Sequence, residues 1–460
     1  MSSTQPARGM RDSLPDDVRR RNYVVGVIGD VYERYGFEPL ETPALENIET
    51  LLGKYGEEGN KLIFKVLKRG EHEASGEADL ALRYDLTVPL ARVMAEYQAT
   101  LPRLFKRYKV QPVWRADRPA RGRFREFYQC DIDAIGSRSP VIEAELCAAA
   151  SEVLARLGFD DFEIRLNHRQ LLTALLGSVP PAKHDAVIVL LDKMDRIGVD
   201  GVWSELIERV GLSQAEVSQL LGVFRAGKDM RRSAAGDQDS GNREVISTLI
   251  ARFGQHGAKA SLENLSQILD LCEKTPARGR VRIDPSLARG LSYYTGAIME
   301  MTVPDLAGSL AGGGRYDNLI GMFLGREIPA CGVSLGLERI LVVMGERGMF
   351  PPTVDRAPAD VMVTVWNDAA MPESLTLAAE LRAHDFRVDV YPEADRIGKQ
   401  IKYADSRKIP FAVILGDDER ARAEVSIKDL SSGTQASIAR SSLVNYLKDR
   451  IGTPRAGTAN

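Results

Sequence analysis

The stretch from Val110 to Gly136 constrains this chain most: two runs of strand-forming residues flank a turn built from proline, glycine and arginine. The first run carries Trp114 and Arg115, the turn passes through Pro119 and Gly122, and the return run carries Phe124, Phe127 and Ile132. That pattern predicts a β-hairpin. Between Arg103 and Arg125 stand nine Lys or Arg residues and a single acid, Asp117. A solvated basic edge that blunts strand pairing explains such a charge run as readily as a binding surface does, so other parts of the chain must decide.

The excess is local. Net charge over all 460 residues is −3, which excludes a generally sticky nucleic-acid binder and confines any such contact to patches. The length implies roughly two to four domains at ~100–200 residues each. A 44% hydrophobic and 27% charged composition is that of a soluble globular protein. Cys130, Cys147, Cys272 and Cys331 lie far apart with no C-x-x-C pair, and the five histidines are scattered, so neither a zinc framework nor a disulfide scaffold is expected. The N-terminal segment lacks the apolar core of a signal peptide. The longest apolar runs, such as Ala186–Leu191, fall far short of the ~20 residues of a membrane span. These features predict a soluble protein of the cytoplasm.

Read in order, the chain begins with a helix signal at Ser13, with Pro15 in the first turn and Asp16 three residues on. Val24, Ile28, Val31 and Tyr35 keep helical spacing, and Gly36 supplies a stop. An extended stretch punctuated by Pro39 and Pro43 follows. From Leu80 to Arg92, alternation predicts a strand with Arg83, Asp85 and Thr87 on one face, where a carboxylate beside a hydroxyl could hold an ammonium group. On the return run of the hairpin, Gln129 and Asp133 share a face. Between about 167 and 280 the pattern turns helical, with a polar loop, RRSAAGDQDSGNR, joining the runs. Strand character resumes at Ile283, and Arg289, Tyr293 and Tyr294 cluster between Gly290 and Gly296, where small residues allow close backbone approach. Gly312–Gly314 are followed by no Lys-Ser or Lys-Thr, so they suit a pocket wall better than a phosphate loop. A proline-rich linker then precedes alternating strands near Val361–Val365, Arg387–Val390 and Phe411–Leu415, with helices near Leu375–His384 and Arg396–Arg407. Arg396, Lys399, Gln400, Lys402 and Tyr403 share one amphipathic stretch there.

These segments, in this order, resemble the three signatures of class II aminoacyl-tRNA synthetases. Arg289, Gly290 and Leu291 followed by Tyr293 and Tyr294 resemble the segment particular to the histidyl-tRNA synthetase family. The resemblance implies an α+β fold: a class II synthetase catalytic domain, an antiparallel sheet flanked by helices, at 1–348 with a helical insertion at about 167–280. A linker at 349–359 and a C-terminal α/β anticodon-binding domain at 360–460 would follow. It implies ATP as a substrate with Mg²⁺, and histidine and tRNA-His as the other partners, in a homodimer. Arg115 and Arg289 would be catalytic, with Arg115, Asp117, Arg123 and Arg339 on ATP. Asp85, Thr87, Gln129, Asp133, Arg289, Tyr293, Tyr294 and Tyr316 would bind histidine, and Arg118, Arg121, Lys399, Gln400 and Tyr403 would meet tRNA. Asp117 stands where class II enzymes commonly have glutamate, Asp133 where the bacterial branch of the family usually has it, and Ser292 where the family usually has aspartate. Two other readings stay open: the regulatory subunit of ATP phosphoribosyltransferase, which shares the catalytic fold without charging tRNA, and another class IIa synthetase such as the prolyl or threonyl enzyme.

Overall fold

Strong β-formers on both sides of the basic turn make β5 (Phe105–Trp114) and β6 (Glu126–Ile135), ten residues each and paired antiparallel along their whole length. This computed structural model describes residues 4–55, 59–68, 70, 75–177, 179–218, 220–221, 238–253, 258–289 and 293–451. Two compact units divide the chain, Met1–Phe350 and Pro351–Asn460. In the first, the strands besides this hairpin are β1 (Glu38–Pro39), β2 (Leu45–Asn47), β3 (Lys65–Leu67), β4 (Ala78–Leu82), β7 (Glu163–His168), β8 (Val281–Ile283), β9 (Ala297–Thr302), β10 (Ser309–Arg315) and β11 (Ala330–Gly336). Among the described residues, six of these join the hairpin in one eight-stranded sheet of order β1-β5-β6-β11-β10-β9-β7-β8, antiparallel except at the β1–β5 and β7–β8 edges. β2, β4 and β3 form a small separate sheet.

Period-two alternation gives the large sheet two unlike faces. Cys130, Ile132, Ile164, Leu166, Met299, Met301, Val333 and Leu335 point to one side and bury against helices Pro15–Arg34, Val141–Arg156, Lys259–Cys272 and Leu337–Glu346. Val24, Ile28, Val31 and Tyr32 line the buried stripe of the first of these helices. That helix starts at Pro15 rather than Ser13, because the Asp17 carboxylate accepts the Leu14 N–H and fixes the chain entry there. On the other face, registered rows run across the strands. Lys109, Asp131, Ser334, Gly312, Glu300 and Arg165 form one row, and Arg107, Asp133, Gly332, Gly314, Ile298 and Asn167 the next.

Three local expectations need correction. The strand expected from Leu80 to Arg92 stops at Leu82, and Thr87 opens helix Thr87–Glu96. Asp85 accepts the Val88 N–H at 3.0 Å, and Pro89 sits in the first turn, where its missing N–H is no loss. Arg83 therefore leaves the company of Asp85: it binds the carbonyls of Thr42, Pro43 and Pro112. Of the polar loop at 231–243, residues 231–237 lie outside the described residues, and the remainder belongs to helix Gln238–Phe253. Asn242 in that helix donates to Val281 O at 2.8 Å and accepts from Ile283 N at 2.9 Å, so a tertiary tie to β8 outweighs the local preference for a loop. Gly290, Leu291 and Ser292 lie outside the described residues.

In the second unit, β12 (Val361–Val363), β13 (Val388–Val390), β14 (Phe411–Ile414), β15 (Glu424–Asp429) and β16 (Gln435–Ala439) make a sheet in the order β13-β12-β14-β15-β16. Helices Met371–Arg382 and Leu443–Ile451 cover one face through Leu377, Leu381, Leu443 and Leu447. Helix Ile397–Ser406 covers the other through Ala404, against Met362 and Ala412.

Candidate active site

The polar face of the large sheet gathers most of the residues that the sequence singles out. Arg115, just past the end of β5, donates to Tyr84 O at 3.0 Å and lies over the Tyr84 ring at 4.3 Å. Its other arm reaches Gln129 Oε1 at 3.5 Å, while Gln129 Nε2 donates to Ser334 Oγ at 2.9 Å. Asp117 and Arg123 pair across the hairpin turn at 2.9 Å. Arg339, at the start of helix Leu337–Glu346, donates to Ser309 O at 2.6 Å. Burial, and then the charges of Arg123, Arg289 and Arg115, lower its pKa against the pull of Glu300. Four guanidinium groups thus share one region, which is where a polyanion would be stabilised.

Beside them lies a cluster of buried tyrosines and carboxylates. Asp85 Oδ1 accepts from Tyr55 OH at 2.9 Å, and Asp85 Oδ2 is buried without a hydrogen-bond partner among the described residues. Tyr293 lies close to Asp85 and Thr87 and packs edge-on against Tyr294 at 5.0 Å and Tyr316 at 6.0 Å. Tyr316 OH donates to Asp133 Oδ1. Burial pushes the Asp133 carboxyl up, and Arg107 pulls it back. The floor is bare: a Cβ on Gly332 would strike the Asp133 carboxylate, and one on Gly312 would strike the Arg289 guanidinium.

Several participants escape a reading of the sequence. Glu300 lies 3.7 Å from Arg289 and 3.2 Å from Arg165. Arg107, Asp131 and Ser334 also face this region, placed by strand register that no local pattern reveals, and Tyr55 reaches it from the turn after helix Ile48–Leu51. Glu338, one residue before Arg339, accepts the Tyr128 N–H with both oxygens at 3.1 and 3.0 Å and so ties its helix to β6.

The residues expected to meet tRNA fare differently. Arg118 is exposed, whereas Arg121 is held by Glu346. Within the second unit, Lys399 is 64% exposed and pairs with Asp395 at 2.6 Å. Half-buried Tyr403 donates to Asp389 at 3.2 Å and accepts from Arg407 at 2.6 Å. Gln400 is a correction: its side chain is wholly buried, accepting from Val365 N and donating to Val365 O and Asp395 O, so it is spent on the fold.

Comparison with known proteins bears on the chain as a whole. A family described as Histidyl-tRNA synthetase matches residues 9–340, and one described as Anticodon binding domain matches residues 360–450. A histidine–tRNA ligase from Christiangramia forsetii is 36% identical over 96% of this chain and 98% of its own. This chain belongs to the histidyl-tRNA synthetase family. A solved histidyl-tRNA synthetase from a Nostoc species superposes with a TM-score of 0.77 at 31% identity, covering 98% of this chain and all of that one. A Bacillus halodurans structure described as an ATP phosphoribosyltransferase regulatory subunit/histidyl-tRNA synthetase gives 0.68 at 22% identity, over 90% of this chain and 98% of its own, which is a likeness of fold. The histidyl-tRNA synthetase fold seen here is the class II catalytic fold followed by an anticodon-binding domain.

Proposed function

We propose that the chain is a histidine–tRNA ligase: it joins histidine and ATP as histidyl-adenylate, releasing pyrophosphate, and passes the histidyl group to the 3′ end of tRNA-His. The convergence of Arg115, Arg123, Arg289 and Arg339 beside the Asp133–Tyr316 and Asp85–Thr87–Tyr293 groups carries this reading. The substrate carboxylate attacks the α-phosphorus, so no protein nucleophile is needed and the work is positioning and charge stabilisation. Arg115 and Arg289 are assigned to the α-phosphate, Arg123 to the outer phosphates with Asp117 steering it, and Arg339 to adenine and the γ-phosphate. Asp85 and Thr87, with Tyr293, are assigned to the α-ammonium, Gln129 to the carboxylate end, and Asp133, Tyr294 and Tyr316 to the imidazole.

Magnesium keeps most of its waters and is held largely by substrate phosphates, with one or two carboxylates. Glu300, which lies 3.7 Å from Arg289 and 3.2 Å from Arg165, would supply such a share. We assign residues 1–348 to catalysis, 349–359 to a linker and 360–460 to the anticodon, the last with Lys399 and Tyr403, and with Arg118 and Arg121 of the hairpin turn as further tRNA contacts. The protein is assigned to the cytoplasm as a homodimer. Among the described residues no helix is long and apolar enough to cross a membrane.

The arginine cluster and the anticodon-binding match favour charging over the regulatory-subunit reading, since histidine sensing alone needs neither. Pyrophosphate exchange with each of the twenty amino acids, followed by aminoacylation, tests this. Histidine alone should support exchange by a margin of ~10⁴ or more, because a site built to pair polar atoms rejects analogues that lack them. Comparable exchange with proline or threonine would end the proposal, and no exchange at all would favour the regulatory subunit.

A further inference from the structure

Arg107 is fully buried in β5, directly opposite Asp133 in β6, with its Nη2 2.7 Å from Asp133 Oδ2. The contact is a charge contact whose angles fall short of a hydrogen bond. The same Nη2 donates to Leu86 O at 3.1 Å, and Leu86 lies between Asp85 and Thr87. Nε and Nη1 have no hydrogen-bond partner among the described residues. Burying a guanidinium so incompletely satisfied is unfavourable, and an apolar side chain of similar size would pack at a fold-only position at lower cost.

On the polar face of the sheet Asp133 has around it Arg107 and Lys109 of β5, Asp131 of its own strand and Tyr316 after β10, while Cys331 of β11 and Tyr32 of the first helix act on it only from the opposite side of the sheet. Two of these are cations. Burial, then Arg107 and Arg83, push the Lys109 ammonium down to about 6, so at neutral pH it has lost most of its charge. Arg107 is therefore the cation that remains beside Asp133, against burial that favours the protonated acid.

We propose that Arg107 is a positioning residue for amino-acid selection: it holds Asp133 ionised and fixed against Tyr316, so that the carboxylate accepts the N–H of an imidazole. This rests on the histidine reading above. The bond to Leu86 O also links the groups assigned to the two ends of the substrate through one guanidinium.

The test is pyrophosphate exchange from about pH 6 to about pH 9 on the full-length wild type and on Arg107→Met, Arg107→Lys and Arg107→Met/Asp133→Asn. Arg107→Met should raise the KM for histidine ~10–100-fold at neutral pH, the scale of one charge-assisted interaction. That KM should recover as rising pH ionises Asp133, with the KM for ATP unchanged. Arg107→Lys, which keeps the charge on a different head group, should fall between Arg107→Met and the wild type. In the double variant the recovery of the KM for histidine that ionisation of Asp133 brings in Arg107→Met should be absent. A folded Arg107→Met with wild-type KM and pH profile overturns the proposal. Should Arg107→Met fail to fold, Arg107→Lys decides: a raised KM for histidine with a shifted acid limb supports the role, and an unchanged profile overturns it. Absence of histidine-dependent exchange in the wild type would instead overturn the histidine reading itself.

Discussion

At Arg289 the guanidinium meets Glu300, a carboxylate that Arg165 also holds, so deleting Arg289 leaves no buried acid without a partner. Arg289→Ala should therefore melt within a few degrees of the wild type while adenylate formation falls ~10²–10³-fold, as loss of one electrostatic stabiliser does. Single-turnover exchange alongside a melting curve checks both halves. His168 gives a different residue-scale expectation. Its Nδ1 accepts the Gln170 N–H at 3.2 Å, and burial, with Arg315, lowers its pKa to about 4. The unfolded chain takes that proton near ~6.5, so the cap's stability is whole above that pH and drains away toward about 4, at about 1.4 kcal/mol per pH unit. His168→Asn keeps an acceptor without the titration, and denaturant unfolding across this range should show a flatter acid limb. Residues on one strand, such as Gln129 and Asp133, are legible together because alternation assigns their face. Arg107 and Glu300 are not, since only the register across β5–β6 and β10–β9 brings them to the site. Gln400 misleads for the opposite reason: its polar type says nothing of which side of helix Ile397–Ser406 packs inward.

Among the elements, the hairpin and the helix Leu337–Glu346 act as one piece, because Glu338 spans them. Burial pushes the Glu338 carboxyl up to about 7, and the bond from Tyr128 N opposes that shift. Glu338→Ala would strand the Tyr128 N–H and should cost about 1–3 kcal/mol by denaturant unfolding. It should also loosen Arg339 on its helix, raising the KM for ATP more than that for histidine in exchange assays. Long strongly patterned elements, β5, β6 and the first helix, read correctly from sequence because local preference and burial agree in them. The misread segments are those where a single tie overrides the pattern. Asp85 turns an apparent strand into a helix cap, and Asn242 draws polar residues into a helix against β8.

For the whole molecule, the division at Phe350 invites separation of the two units. Met349 and Phe350 pack against the core of the first unit, so a cut after Gly348 would remove part of that core, and the cleaner cut follows Phe350. The protein ending there should keep most of its pyrophosphate exchange but lose aminoacylation, and its tRNA binding should weaken less steeply with salt, since fewer phosphates are neutralised. Running both reactions on both proteins at two salt concentrations checks this, and equal losses would mean that the second unit serves the core instead. The bare floor of the sheet has a consequence over evolutionary time. A missense change in a glycine codon can only add atoms, and at Gly312 or Gly332 even one methyl group enters space held by Arg289 or Asp133. Such positions have no conservative neighbour one mutation away. Lineages descending from this chain are left to explore new specificities through the residues standing around the floor, while the floor itself stays as it is.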